Sequence, residues 1–226
     1  MARPWQTLDA FETADGRLEL RSRGSDDFLI TLAGRVLMNS RANRSELALA
    51  KLACAALEDV ACPNLLIGGL GMGCTLRAAL DALPGEARVT VCELHAPLAD
   101  WCRGALAPIN RDALADPRVR VELVDVSELI ARRARERTQP ALDAILLDLY
   151  AGPHARTDAR RDPFYGRDAL ERTRRALSKT GLMAVWSEDP DAAFEKRLGA
   201  AGFEVALHRP GKGGRRHAVY VAHCRG

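Results

Sequence analysis

Hydrophobic positions along the chain switch between two periods, and the switches mark its elements. Across residues 17–38 apolar and polar positions alternate. Leu18 and Leu20 fall on one face, Gly24-Ser25-Asp26-Asp27 turns the chain, Phe28, Ile30 and Leu32 share a face, and Ala33-Gly34 turns it again before Val36 and Met38. That alternation predicts a small antiparallel sheet. From Ser45, read as an N-cap, SELALAKLACAALEDV changes to helical spacing and is stopped by Pro63. Leu65, Leu66 and Ile67 then form an apolar run with no polar alternation, the pattern of a strand buried on both faces. Gly68 and Gly69 break it, and Leu76 and Leu80, one helical turn apart, predict a helix from about Gly73.

The alternation continues to the end of the chain. RVTVC is a strand ending at Glu93, followed by a helix with Pro97 in its first turn and a stripe of Leu94, Leu98 and Trp101. Residues 118–124 read as a strand ending at Asp125, before a helix capped near Ser127. LDAILLDLY is a buried strand ending at Asp148, and the long loop AGPHARTDARRDPFYG after it has the length of a lid or binding loop. A helix over residues 166–179, the strand LMAVWSE, a helix capped by Asp189 with Pro190 first, and the strands FEVAL and AVYVAHC complete the pattern. The last two, joined by the basic turn HRPGKGGRRH, read as a hairpin. Strand and helix alternating five times, then two successive strands, specify an α/β fold: a doubly wound Rossmann-like sheet with an antiparallel C-terminal edge. We divide the chain into an N-terminal β subdomain, residues 1–44, and a cofactor-binding domain, residues 45–226.

Composition narrows the function. The chain has 226 residues, with 33 Lys and Arg against 30 Asp and Glu, enough for one α/β domain with an appendage. A net charge of +3 with arginines spread along the chain argues against a dedicated nucleic-acid binder and for small-molecule chemistry. Six cysteines without C-x-x-C spacing read as reduced core residues. The longest uncharged run, residues 60–76, contains Pro63 and four glycines, so no membrane span is expected, and MARPWQTLDAF has no signal-like apolar region. The expected location is cytoplasmic. His217, His223 and Cys224 lack further ligands nearby in sequence, and no metal is assigned.

The chemistry gathers at strand ends. Gly69, Gly71 and Gly73 give G-x-G-x-G, chain that can bend sharply and lie against a ligand. Cys74 stands where a dinucleotide fingerprint needs glycine, which disfavours nicotinamide or flavin. Glu93, at the end of the next strand, is where nucleotide-binding sheets place a carboxylate on ribose hydroxyls. With Asp125 and Asp148 ending the following strands, these residues form one site outside the carboxyl ends of the sheet, suited to an adenosine-containing cofactor. A carboxylate that ends a buried strand, as Asp148 does, is costly unless used or paired. Arg156, Arg160, Arg161 and Arg167 near the loop read as surface arginines.

In order and spacing, GGLGMGCTLR, Glu93, DPRVRVELVDV and ILLDLYAGP resemble the spermidine synthase-like branch of the class I S-adenosylmethionine-dependent methyltransferase superfamily. The resemblance spans nearly the whole chain. It implies S-adenosylmethionine, or its decarboxylated form, as cofactor. Gly69, Gly71, Met72 and Gly73 would lie along its amino-acid part, Glu93 on its ribose, Asp125 and Val126 at its adenine, and Asp148 beside the reacting centre. A homodimer is the matching expectation by analogy of fold. The chain departs from that pattern at three places. Met72 replaces the aspartate that faces the free ammonium of the decarboxylated cofactor, Ala151 replaces the second aspartate of D-S-S-D-P, and the tyrosine-histidine-glutamate segment is not recognisable in RANRSELALAKLA, where Glu46 would serve a related role. The departures point first to methyl transfer onto a small-molecule amine or hydroxyl. Asp148 would then be the catalytic carboxylate, and Tyr150, His154 and Tyr165 would line the acceptor pocket. Aminopropyl transfer to an unusual amine and a non-catalytic cofactor-binding protein are the alternatives.

Overall fold

The computed structural model describes residues 3–136, 140–154, 160–211 and 217–225. Four strands come first: β1 (Gln6–Thr13), β2 (Gly16–Ser22), β3 (Phe28–Leu32) and β4 (Arg35–Asn39), paired in that order as an antiparallel meander. The alternation that predicted the sheet is its inward face, since Leu18, Leu20, Phe28 and Ile30 are buried. β1 is an addition to the expectation. Its residues are exposed or half-buried, so no apolar alternation announces it. It is held instead by the Phe11 ring against His95 and Trp101, at 5.5 and 5.6 Å between centroids. The Trp101 indole N–H also donates to Asp9 Oδ2 at 2.6 Å.

The second sheet has seven strands. Along the chain run α1 (Arg44–Ala55), β5 (Asn64–Gly68), α2 (Cys74–Ala82), β6 (Arg88–Glu93), α3 (Ala96–Arg103), α4 (Ala107–Asn110), β7 (Val119–Leu123), α5 (Val126–Arg135) and β8 (Leu142–Leu147). Then follow α6 (Arg167–Ala176), β9 (Leu177–Ser187), α7 (Ala192–Ala200), β10 (Phe203–His208) and β11 (Ala218–Cys224). The spatial order is β10-β11-β9-β8-β5-β6-β7. β5 to β9 are parallel, and β11 runs antiparallel between β9 and β10, so the C-terminal hairpin closes one edge. The chain builds outward from β5 through β6 to β7, then returns to the other side of β5 with β8. That reversal opens a crevice at the carboxyl ends of β5 and β8, the place where doubly wound sheets bind ligands.

Several helix ends differ from the expectation, and at α5 and α7 the reason is a side chain that takes the free amides. Asn43, not Ser45, stands at the start of α1. The first turn of α5 is capped by Asp125, whose Oδ1 accepts from the Ser127 amide at 2.7 Å. Asp191, not Asp189, caps α7, taking the amides of Ala193 and Phe194 on Oδ1. α6 ends at Ala176 because the buried Leu177 already pairs with Leu142 in the sheet. Leu94 lies before α3 and is 62% exposed, outside the stripe expected of it, whereas Leu98 and Trp101 are buried.

Two apolar layers cover the sheet. One gathers Leu49, Leu76, Leu80, Leu98 and Trp101 together with Leu20 and Ile30 of the N-terminal sheet. The other gathers Leu129, Leu170, Phe194, Leu198 and Tyr220. All six cysteines are free thiols; Cys54, Cys92 and Cys102 are buried, while Cys62 is exposed. Burial pushes the Cys92 and Cys102 thiols up to about 12, so they stay protonated. No helix among the described residues is long and apolar enough to cross a membrane. In the second layer Phe194 stands edge-on to Tyr165 and Tyr220, with centroids 5.6 and 5.1 Å away. Phe194→Ala is expected to cost about 3–5 kcal/mol, read in urea as a lower midpoint at unchanged slope.

Candidate active site

The site is assembled where β5, β6 and β8 end. After β5 the backbone turns through Gly69 and Gly71, at φ +90° and +52°, a region side chains avoid. Space matters as much as angle there. A Cβ on Gly69 would overlap the Asp148 carbonyl oxygen, and one on Gly71 would meet the end of the Met38 side chain. Two further bonds fix the turn: Gly69 N–H donates to Cys92 O and Asp148 N–H to Gly68 O, both at 2.9 Å.

Glu93 closes the second side. Its carboxylate is 6% exposed and accepts the amides of Leu70 on Oε2 at 3.1 Å and of His95 on Oε1 at 2.9 Å. Each oxygen keeps a lone pair for a ligand hydroxyl. Gly69, Gly71, Glu93, Asp125, Val126 and Asp148 line one cleft of about 410 Å³, within the range of about 300–1,000 Å³ typical of small-molecule sites. Leu94, Leu98, Met38 and Phe164 give it apolar walls, which suits the flat face of a nucleobase. A cradle that a Cβ would fill, a buried carboxylate and apolar walls together fit an adenosine-containing molecule.

Met72 and Gly73 do not line this cleft. The Met72 side chain is 3% exposed and packs in the core, where it borders a narrow crevice shared with Glu46 and Asp148. Gly73 starts α2 at φ +79°, packed against Asn110, so its role is to let the helix begin.

Asp148 is the centre of the arrangement. It is 9% exposed, and the Thr75 hydroxyl donates to its Oδ2 at 2.5 Å. Burial first, and the nearby Glu46 carboxylate second, push its pKa up to about 7, against the lowering effect of the Thr75 bond. A carboxylate poised there exchanges protons near neutrality, as a general base must. Beyond it lies a second cavity of about 1040 Å³, lined by Asp148, Tyr150, His154, Glu46, Trp186 and His217 among others. Asp148 therefore belongs to both cavities and joins them.

The loop residues divide between the two. Tyr150 lines both cavities, is 56% exposed, and its hydroxyl donates to Asp15 Oδ2 at 3.0 Å, tying the loop to the β1–β2 turn. His154 lines the larger cavity. Tyr165 lines only the smaller, is fully buried, and donates its hydroxyl to Ala151 O at 3.1 Å; burial drives its phenol far up, so it acts as a wall. Arg156 lies outside the described residues. Sequence reasoning missed Thr75, Met38 and Ser45 as parts of the site, and left His217 only as a rejected metal ligand. Their local patterns carried no signal beyond helix, strand or cap. Among the described residues no cluster of His, Cys, Asp or Glu is arranged to hold a metal.

A seven-stranded, mostly parallel sheet with this strand order, a glycine turn at the reversal and an acidic residue at or just beyond the ends of β6, β7 and β8 defines a nucleotide-binding type of α/β fold. The particular fold is that of spermidine synthase. The chain superposes on the spermidine synthase of Thermotoga maritima with a TM-score of 0.75 at 16% identity, covering 96% of this chain and 72% of that one. It superposes equally widely, with a TM-score of 0.73 at 16% identity, on a spermidine synthase in complex with the transition-state analogue AdoDATO. No protein-family model and no curated protein sequence matches the chain.

Two substitutions probe the site. Gly69→Ala is expected to lower the melting temperature by about 5 °C or more, since strain and overlap together cost over about 1–2 kcal/mol. Asp148→Asn has the opposite sign. Because the folded pKa of Asp148 lies above its unfolded value, its favourable contribution is complete below about pH 4 and lost as pH rises through about 7. The asparagine variant should therefore be no more stable than the parent in acid, but more stable by something on the order of 3 kcal/mol near pH 8, measured by urea unfolding across pH.

Proposed function

We propose that the protein is an aminopropyltransferase acting on a cationic amine, with decarboxylated S-adenosylmethionine as donor. The observation that carries this reading is the pairing of Glu46 with Asp148 where the donor cleft meets the larger cavity. From sequence alone, Met72 removed the negative charge expected near the donor's ammonium and favoured methyl transfer. In three dimensions Met72 is turned into the core, and Glu46 supplies a carboxylate beside the same crevice. Two carboxylates there suit a cation and oppose the carboxylate of intact S-adenosylmethionine. The likeness in fold to a spermidine synthase crystallised with AdoDATO supports the same donor.

The donor would lie against Gly69 and Gly71, with Glu93 on its ribose and Asp125 and Val126 near its adenine. Bound there, it supplies a carbon activated by an attached sulfonium. The chain's own contribution is position and proton management. Among the described residues the larger cavity carries six carboxylates, from Asp15, Glu46, Asp148, Glu188, Asp189 and Asp191, against the two arginines Arg35 and Arg197. This excess favours a positively charged acceptor. Asp148, with its pKa near 7, takes a proton from the acceptor ammonium and frees the nitrogen lone pair, while Thr75 fixes which carboxylate oxygen is turned away from the acceptor. The cavity's size, about 1040 Å³, accommodates acceptors larger than a short diamine.

The by-product discriminates the readings without knowledge of the acceptor. Purified protein is incubated with decarboxylated or with intact S-adenosylmethionine and a panel of amines, and the nucleoside products are identified by mass spectrometry. Methylthioadenosine from the decarboxylated donor is expected, with a rate that rises as pH passes about 7 and falls at least about 100-fold in Asp148→Asn. S-adenosylhomocysteine would establish methyl transfer instead, and absence of both products would overturn the enzymatic reading.

A further inference from the structure

Ser45 was expected to cap α1, but its side chain is committed elsewhere. The hydroxyl is buried and lies 2.7 Å from Glu46 Oε2 and 2.9 Å from His217 Nδ1. His217 sits just before β11 and 172 residues along the chain, with its ring edge-on to Trp186 at 4.9 Å. Two protons must be placed in this trio, one on the serine and one on the imidazole. An ionised carboxylate can only accept, so the single Ser45 proton points to Glu46, and Ser45 must then accept from His217. The imidazole is thereby fixed as the Nδ1–H form, with Nε2 carrying no proton when the ring is neutral.

Resting on the aminopropyl-transfer reading above, we propose that His217 is a positioning residue for the acceptor. Through Ser45 it holds the Glu46 carboxylate beside Asp148, so that the two carboxylates bracket the cationic end of the amine. The Glu46 side chain is only half-buried and on a helix surface would otherwise sample several rotamers. The trio removes that freedom. Trp186 fixes the ring plane from β9, and β11 carries His217 to the cavity rim. Specificity for a cation at the reacting end therefore depends on a histidine from the far end of the sequence.

Two measurements test this. The first is the tautomer of His217, read from long-range proton–nitrogen couplings in ¹⁵N-histidine-labelled protein at alkaline pH and assigned by the signal that disappears in His217→Asn. The Nδ1–H form is expected, and the Nε2–H form would overturn the tether whatever the substrate. The second is calorimetric titration with spermidine as a probe polycation. His217→Ala and Ser45→Ala should each weaken binding about tenfold. His217→Asn, whose amide N–H can stand where Nδ1–H stood, should recover most of the loss. Unaltered spermidine binding in His217→Ala would overturn the role in acceptor binding. If the parent protein binds no polyamine, the acceptor reading itself fails, and the tether then stands or falls on the tautomer alone.

Discussion

The close approach of two strand ends governs this molecule. β5 and β8 are neighbours in the sheet, and the chain leaving β5 passes so near Asp148 that a single added carbon on Gly69 would overlap its carbonyl oxygen. Backbone bonds between Gly68 and Asp148 and between Gly69 and Cys92 lock that approach. The consequence is a buried carboxylate at the end of a largely buried strand, pressed against the glycine turn. Its raised pKa follows from that placement and from Glu46 beyond it. A carboxyl that ends an exposed strand would stay ionised and be of little use as a base near neutrality.

Around this point the two halves of the chain act as one object. The N-terminal sheet contributes Leu18, Leu20, Phe28 and Ile30 to the same apolar layer as α1, α2 and α3, and its Met38, Ile30 and Leu32 wall the smaller cleft. A separate contact from Tyr150 to Asp15 joins the loop after β8 to the tip of β1 and β2. The four-stranded sheet is thus a roof over the glycine turn. It is made of apolar surface that would be costly to leave in water.

Charge is distributed in space here in a way that chain order conceals. An aspartate missing at position 72 reads as a lost negative charge, yet the Met72 side chain faces the core, and Glu46 reaches the same crevice from α1. Met72 in its turn fills the layer that the helix behind the glycine turn packs against. The residues that border this crevice therefore sit on elements separated in sequence, and motif comparison weighs only the local one.

Much of the architecture was written in period and composition. The unbroken apolar runs of β5 and β8, the glycines between β5 and α2, and the carboxylates Glu93, Asp125 and Asp148 at strand ends were all legible, because burial on both faces and tight turns leave direct marks on residue choice. β1 was not, because an exposed outer strand needs no apolar alternation. The start of α7 was not either, since Asp189 and Asp191 are equal as caps until one side chain reaches the amides. The sheet order, the neighbourhood of Asp148 with Thr75 and Glu46, and the Glu46–Ser45–His217 trio were decided only by the tertiary structure. Hydrogen bonds and charge pairs between residues tens to hundreds of positions apart impose no period on the sequence. They exist only once the sheet has brought β5, β8, β11 and α1 to one end of the molecule.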